Sequence, residues 1–497
     1  MFIPVTLNYL HRTFNYISKS FTSHADISRV LGCLVIPLII ISIPREWIPL
    51  EGLTIVQHRS IAIFSMAALF WIFEPIPIFA TSMLVIFLEL VMLSDSSVSF
   101  ALSSQDAATF GTLMSYQEIM GTLASPIIIL FLGGFFLAIS ATKYGLDHQM
   151  AGVFIKPFGT NPRWVMLGIM SITAIFSMFM SNTATTAMML SILIPVLTSM
   201  DADDKGKIGF VLSVPVAANL GGIGTPIGTP PNAIALKFIN SSGDQAITFS
   251  KWMIMGVPYV LVMILISWFI LTRMFPTSTK SIKLSIKKTE RKNGYKPLII
   301  YATFTITVIL WLTDFIHGMN SYVVAMLPII VFLCLNIISK DDLKYISWDV
   351  LWLVAGGIAL GLALTRTGLA SVLVGNIPFS ALPIAVIFLL AAFIGLLVAN
   401  FMSNTATANL LIPMIAVIGT SIPAFEEWGG GGLLVLGSTL AISLGMCLPI
   451  STPPNALAYG TGLISTKHLV RTGLLIGTIG FTLIFLALII YRKLGVI

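Results

Sequence analysis

The sequence predicts an all-α polytopic membrane protein built from two related halves, and three observations carry that prediction. Only 9% of the 497 residues are charged and 57% are hydrophobic, with a mean hydropathy of +0.97, whereas an ordinary soluble domain has roughly 25% charged residues. Apolar runs recur along the chain, among them 30–44, 257–271 and 472–491, and a helix needs about 20 mostly apolar residues to cross a bilayer. A membrane β-barrel would instead alternate apolar and polar residues in segments of about ten. Finally, the chain repeats itself.

The repeat consists of three blocks in one order. LFLGGFFLAISATKYGLD (130–147) aligns with LVAGGIALGLALTRTGLA (353–370), placing Gly133, Gly134, Thr142 and Gly145 on Gly356, Gly357, Thr365 and Gly368, 223 positions apart. Ser181-Asn182-Thr183 falls on Ser403-Asn404-Thr405 at a spacing of 222. GTPPNA and STPPNA then pair through Pro226 and Pro449, Thr229 and Thr452, and Asn232 and Asn455, again 223 apart. Self-similarity at a fixed spacing marks a duplicated architecture. The halves run roughly 52–275 and 297–497, after an extra N-terminal span. In each half the GG pair, Ser-Asn-Thr and TPPN are poor material for a continuous helix, since proline lacks an amide donor. Broken backbone in a bilayer must be buried in protein or face a cavity. Paired breaks at corresponding positions of two halves point to a secondary transporter's midplane site, and an odd number of spans per half makes the topology inverted.

The formal charge of +7 is concentrated in TKSIKLSIKKTERKNGYK (279–296) between two apolar spans, which reads as a cytoplasmic loop rather than a nucleic-acid surface. Arg12, Lys19 and Arg29 put the N-terminal segment on the same side, and no cleavable signal peptide is read there. Cys33, Cys334 and Cys447 stand singly and are expected to be buried packing residues. The six histidines form no HExxH motif, so a metallopeptidase has no support. Glu74 and Asp314 are expected near span ends, and Lys143, Asp147 and Arg366 at hairpin tips or membrane edges.

Around the two Ser-Asn-Thr copies stand hydroxyls and amides but no charge. No ionisable residue lies between Ser171 and Met200, or between Arg366 and Ala424. A cation carrier or purely proton-driven carrier would normally show an intramembrane carboxylate there. An anion held without Arg or Lys needs amide and hydroxyl donors and helix N-termini. A doubly charged anion is still under-compensated by these, and small hard cations held by oxygen ligands supply the remainder. An intramembrane hydrolase using Ser181 or Ser403 lacks an activating base, and a channel filter does not need duplicated breaks.

SNTATTAMM (181–189), SNTATAN (403–409), GTPPNAIA (228–235) and SLGMCLPISTPPNALA (443–458) resemble the divalent anion:sodium symporters. The resemblance implies an elevator-type transporter of about 11 transmembrane helices, with inverted repeats and re-entrant hairpins near 126–156 and 349–378. It implies a homodimer in a bacterial inner membrane that imports C4 dicarboxylates such as succinate, malate and fumarate with sodium as coupling ion. On that pattern 1–29 is a cytoplasmic segment, 30–125 and 251–348 (with the basic loop 276–296) form a scaffold, and 126–250 and 349–497 form the transport domain. Asn182, Thr183, Thr229, Asn404, Thr405 and Thr452 would contact substrate. Ser177, Ser181, Asn182 and Gly228 would hold one sodium ion, and Ser403, Asn404 and Ser451 a second. Ala399 stands where the second copy should repeat Ser177, so the second site lacks that hydroxyl. A sodium-independent exchanger and a sodium-coupled citrate or sulfate carrier are the alternatives within the fold.

Overall fold

The computed structural model describes residues 24–97, 107–198, 200–201, 203–241, 246–282, 294–376 and 382–495. Most of the N-terminal segment and most of the basic loop lie outside the described residues. Nineteen principal helices follow one another: α1 His24–Ser42, α2 Ile55–Phe73, α3 Ile78–Met92, α4 Pro126–Lys143, α5 Leu146–Ile155, α6 Pro162–Phe179, α7 Asn182–Thr198, α8 Gly206–Gly222, α9 Pro230–Ser241 and α10 Phe249–Met274. After the basic loop come α11 Tyr295–Leu312, α12 Met326–Cys334, α13 Trp348–Arg366, α14 Leu369–Gly375, α15 Ile384–Phe401, α16 Asn404–Ser421, α17 Gly431–Ser443, α18 Pro453–Gly460 and α19 Thr466–Lys493. Among the described residues eight helices are long and apolar enough to cross a membrane, and five shorter apolar helices accompany them.

The duplicated sequence is a duplicated fold. Helices α4 to α10 match α13 to α19 in order, and the halves interlock reciprocally. α9 packs on α16 and α17, while its counterpart α18 packs on α7 and α8. α4 packs on α12, and α13 on α3. The last helices of the two halves run antiparallel: Tyr491 Oη donates to Met255 O (2.7 Å) and Tyr259 Oη to Gly480 O (3.0 Å). Equivalent helices pointing in opposite directions are what inverted repeats require.

The GG pairs correct one expectation. α4 and α13 run unbroken through Gly133-Gly134 and Gly356-Gly357. Their role is close approach: a Cβ on Gly133 would come within 2.5 Å of Ala325 O, and one on Gly356 within 2.3 Å of Ser82 Cβ. Small residues at such crossings are the usual basis of helix packing where lipid removes the hydrophobic drive. Both helices also qualify by length and composition as spans. The antiparallel pairs with a Ser-Asn-Thr at the tip are α6–α7 and α15–α16. α6 runs parallel to α8, with Met166 beside Gly209 and Ala174 beside Gly221, and α7 returns against both.

The scattered charges serve as ties. Lys143 Nζ bonds Asp342 (2.6 Å) and Ile337 O (2.8 Å), fastening the end of α4 to the turn before α13. Burial pushes the Asp342 carboxyl up, but bonds from Lys143 and Ser339 outweigh it and hold it at about 2. Asp314 is buried and accepts from Ser250 N and Oγ at the start of α10. Asp204 accepts from Gly206 N, Thr277 Oγ1, Ser278 Oγ, and Thr279 N and Oγ1. Burial again pushes up, yet these donors hold its carboxyl well below the usual range. Arg366 pairs with Glu118. Cys33 and Cys447 are buried as expected, whereas Cys334, at the end of α12, is exposed.

Candidate functional site

Each polar motif is a helix start. α6 ends where Met180 turns extended (φ −125°, ψ 160°), and Asn182 opens α7. Met402 does the same (φ −134°, ψ 173°), and Ser403 Oγ caps α16 by accepting from Ala406 N (3.1 Å). In the TPPN motifs the threonine precedes the helix and the first proline takes its first position, where a missing N–H costs nothing. Thr452 Oγ1 accepts from Asn455 N (3.3 Å) at the start of α18, and α9 begins at Pro230.

These four starts converge. One cavity of about 180 Å³ is lined by Ser181, Asn182, Thr183, Gly228, Thr229 and Pro230 from the first half, and by Ser403, Asn404, Thr405, Ser451, Thr452 and Pro453 from the second. Ile78, Phe131, Phe135, Ile227, Val350 and Leu353 complete an apolar wall. Drug-sized pockets hold about 300–1,000 Å³, so this one suits a small molecule. Each helix N-terminus contributes roughly half a positive charge through its free amides. Among the described residues no Lys, Arg or His lines the cavity, so the positive potential there is that of the four helix starts.

Every residue expected at the substrate or sodium sites lines this cavity except Ser177, which lies fully buried behind Asn182. Ser177 Oγ is 2.5 Å from Asn182 Oδ1 and 2.8 Å from Ala218 O. A serine hydroxyl carries one proton, so one of these contacts is a hydrogen bond and the other oxygen is left facing it. Three oxygens gathered this way suit a small hard cation. Thr225 Oγ1 donates to Met178 O, closing the helix tip onto the break between α8 and α9. Among the described residues no group of three His, Cys, Asp or Glu gathers as a transition-metal site would require.

Three further polar residues, which the sequence did not assign to the site, reach the cavity. Asp349, in the first turn of α13, reaches the cavity from a distant segment, where the first half has Pro126. Asn219 Nδ2 crosses between the halves to Thr452 Oγ1 (3.1 Å) and Asn455 Oδ1 (3.3 Å). Ser443, the last residue of α17, also lines the cavity. The TPPN asparagines, by contrast, are clamps. Asn232 Nδ2 donates to Gly222 O (2.9 Å) and Thr225 O (2.8 Å), and Asn455 Nδ2 to Met446 O (2.8 Å) and Leu448 O (3.0 Å). They satisfy carbonyls that the breaks in α8–α9 and α17–α18 would otherwise leave bare.

The pseudo-symmetry is broken beside the cavity. A cleft of about 490 Å³ runs between α4 and α7, lined by Ala138, Ile139, Thr142, Lys143, Met180 and Ala184, and it meets the cavity at Phe135 and Ser181. In the second half the equivalent helices α13 and α16 are packed together instead, with Asn409 Nδ2 donating to Leu353 O (2.8 Å).

Comparison with known proteins decides the family. Residues 24–497 match the sodium:sulfate symporter transmembrane region. The chain belongs to the sodium:sulfate symporter family. It is an integral, multi-pass membrane protein of that family, whose members include the divalent anion:sodium symporters that the motifs resemble. The sodium-dependent dicarboxylate transporter SdcS of Staphylococcus saprophyticus is 28% identical over 94% of this chain and 92% of its own length. SdcS of Staphylococcus aureus is 27% identical over 94% and 91%. The fold is similar to the crystal structure of the Alcanivorax borkumensis YdaH transporter, with a TM-score of 0.53 at 13% identity, covering 84% of this chain and 98% of that one.

Proposed function

We propose that this symporter-family protein imports C4 dicarboxylates, such as succinate, malate and fumarate, with sodium as the coupling ion. The observation that carries this reading is the convergence of four helix N-termini and both Ser-Asn-Thr motifs on one cavity without a basic residue. Asn182, Thr183 and Thr229 form one donor cluster, and Asn404, Thr405 and Thr452 its counterpart. Two equivalent clusters suit the two ends of a dicarboxylate better than one tetrahedral anion. The names of the staphylococcal relatives point the same way.

In this mechanism sodium enters first. Ser177, Ser181, Asn182 and Gly228 hold one ion, with Ala218 O as a further oxygen; Ser403, Asn404 and Ser451 hold the second. Because Asn182 and Asn404 belong to both an ion site and a substrate cluster, ion binding fixes the amides that the carboxylates then meet. That shared use couples the two fluxes. The open cleft on the α4–α7 side against the packed α13–α16 side supports alternating access, in which the inverted halves exchange these two arrangements. We assign the movement to an elevator-type transport domain within 126–250 and 349–497, carrying α6–α9 and α15–α19, against a scaffold of 30–125 and 251–348 joined by α4 and α13, which pack on α12 and α3, in a homodimer in a bacterial inner membrane.

Uptake of labelled succinate into proteoliposomes tests the reading. An inward sodium gradient is expected to drive accumulation, and a potassium gradient is not. Accumulation that ignores sodium but requires internal succinate would establish exchange instead, and no uptake in either arrangement would remove the dicarboxylate assignment.

A further inference from the structure

The halves differ at the ion sites in a way that repays comparison. In the first, the hydroxyl comes from the helix tip, where Ser177 faces Asn182 and Ala218 O. In the second, the tip carries Ala399, whose methyl packs against Gly445. The neighbouring amide does not take over. Asn400 Nδ2 donates to Leu396 O (2.8 Å), and its Oδ1 accepts from Cys447 N (2.9 Å).

Two side-chain oxygens nevertheless remain at this corner. Asn404 Oδ1 and Ser443 Oγ are buried without a hydrogen-bond partner, and among the described residues they are the only such atoms on residues lining the cavity. Ser443 is 2% exposed. Helical serines and threonines commonly return their hydroxyl to a carbonyl one turn back, as Thr439 does on the same helix (2.7 Å to Val435 O). Ser443 does not. Asn404 Nδ2 lies 3.5 Å from the backbone carbonyl of Ser443, so the start of α16 abuts the end of α17, and both residues line the cavity. The position equivalent to Ser443 in the first half is Leu220. Each half joins helix tip to break through one bonded hydroxyl, Thr225 Oγ1 to Met178 O in the first and Ser451 Oγ to Asn400 O (2.8 Å) in the second, and carries a further one on the tip in the first half (Ser177) and on the break helix in the second (Ser443).

We propose that Ser443 Oγ, with Asn404 Oδ1, supplies the side-chain oxygens of the second sodium site that Ala399 cannot. Hard cations require oxygen ligands, and the relocated hydroxyl presents one from the opposite wall. This inference rests on the sodium-coupled reading above.

The test is the thermal midpoint of the purified full-length protein against increasing sodium chloride, with choline chloride as ionic control, since an ion that binds only the folded state raises the midpoint in proportion to its affinity. Ser443→Ala is expected to require about tenfold more sodium for the same shift, as loss of one ligand bond implies, and to lower the Hill coefficient of sodium in uptake. Ser443→Cys keeps the volume, supplies a sulfur that hard cations avoid, and is expected to lose sodium affinity as well. Adding Ala399→Ser to Ser443→Ala returns a hydroxyl from the other wall and is expected to recover sodium affinity. Ser438→Ala removes another unpartnered buried hydroxyl of α17 that does not line the cavity, and is expected to behave as the parent. A parental sodium midpoint in both Ser443 variants, or an equal loss in Ser438→Ala, would overturn the assignment. A parent protein with no sodium response at all would instead remove the sodium-coupled reading itself.

Discussion

At the scale of single residues, the asparagines separate into two kinds. Asn182 and Asn404 line the cavity, and in the proposed mechanism they are shared between the anion and ion sites. Asn182→Ala and Asn404→Ala are each expected to abolish succinate uptake while the purified protein elutes as the parent does on size exclusion. Asn232 and Asn455 instead hold carbonyls of the broken helices. Replacing either by alanine leaves buried carbonyls bare, and about 1–3 kcal/mol of stability is expected to be lost, read as a fall in thermal midpoint. Among the described residues Asp349 is the one ionisable side chain on the cavity wall, and it would repel the dicarboxylate proposed to bind there. It is exposed, so solvent screens it. Asp349→Asn is expected to lower the KM for succinate by about fivefold, equivalent to about 1 kcal/mol at solvent-like dielectric, with a smaller change at high ionic strength.

At the scale of helices, the fold relies on close crossings and a few ionic ties. Gly356 admits Ser82 so tightly that any side chain must displace α3. Gly356→Leu is expected to cost about 1–3 kcal/mol through overpacking, seen as lower thermal stability and poor yield. The tie between Lys143 and Asp342 gives α4 a pH-dependent anchor. Asp342 is held at about 2 in the folded protein, below the unfolded value of about 3.9. Its stabilising contribution is therefore fully present above about pH 4 and is lost as the pH falls from there towards 2. Thermal midpoints measured from pH 5 to pH 3 are expected to fall less steeply for Asp342→Asn than for the parent. The GG pairs also show how element-level reading goes astray. Glycine lowers helix propensity by only about 1 kcal/mol, so two glycines in a long apolar run do not break it when a neighbour packs into the groove they leave.

At the scale of the whole molecule, the broken symmetry is the feature that bears on transport. The α4–α7 cleft is open where α13–α16 is closed, and inverted halves can exchange these states. In a protein with Cys33, Cys334 and Cys447 replaced by serine, a reducible thiol cross-linker between Ala138→Cys and Ala184→Cys spans that cleft. Cross-linking is expected to stop uptake and reduction to restore it. Persisting uptake in the cross-linked protein would show that the cleft need not close.

Membrane class, duplication and the motif residues are legible along the chain, because composition, a repeat spacing of 222–223 and the paired polar motifs are all local or one-dimensional signals. Ser181-Asn182-Thr183, Thr229 and their counterparts were identifiable because they recur in register in both halves, whereas a single such motif in an apolar run is commonly interhelical hydrogen-bond glue or a kink. Which polar groups face the cavity and which hold backbone together emerges when the chain packs in three dimensions, since Asn182 and Asn232 are the same residue type in similar surroundings along the chain. That packing also brought in Asp349 from a segment far from the motifs, turned Ser443 at the edge of the second motif toward the cavity, and tied Asn219 across the halves to Thr452. No periodicity announces such neighbours, because their proximity arises when one half folds against the other.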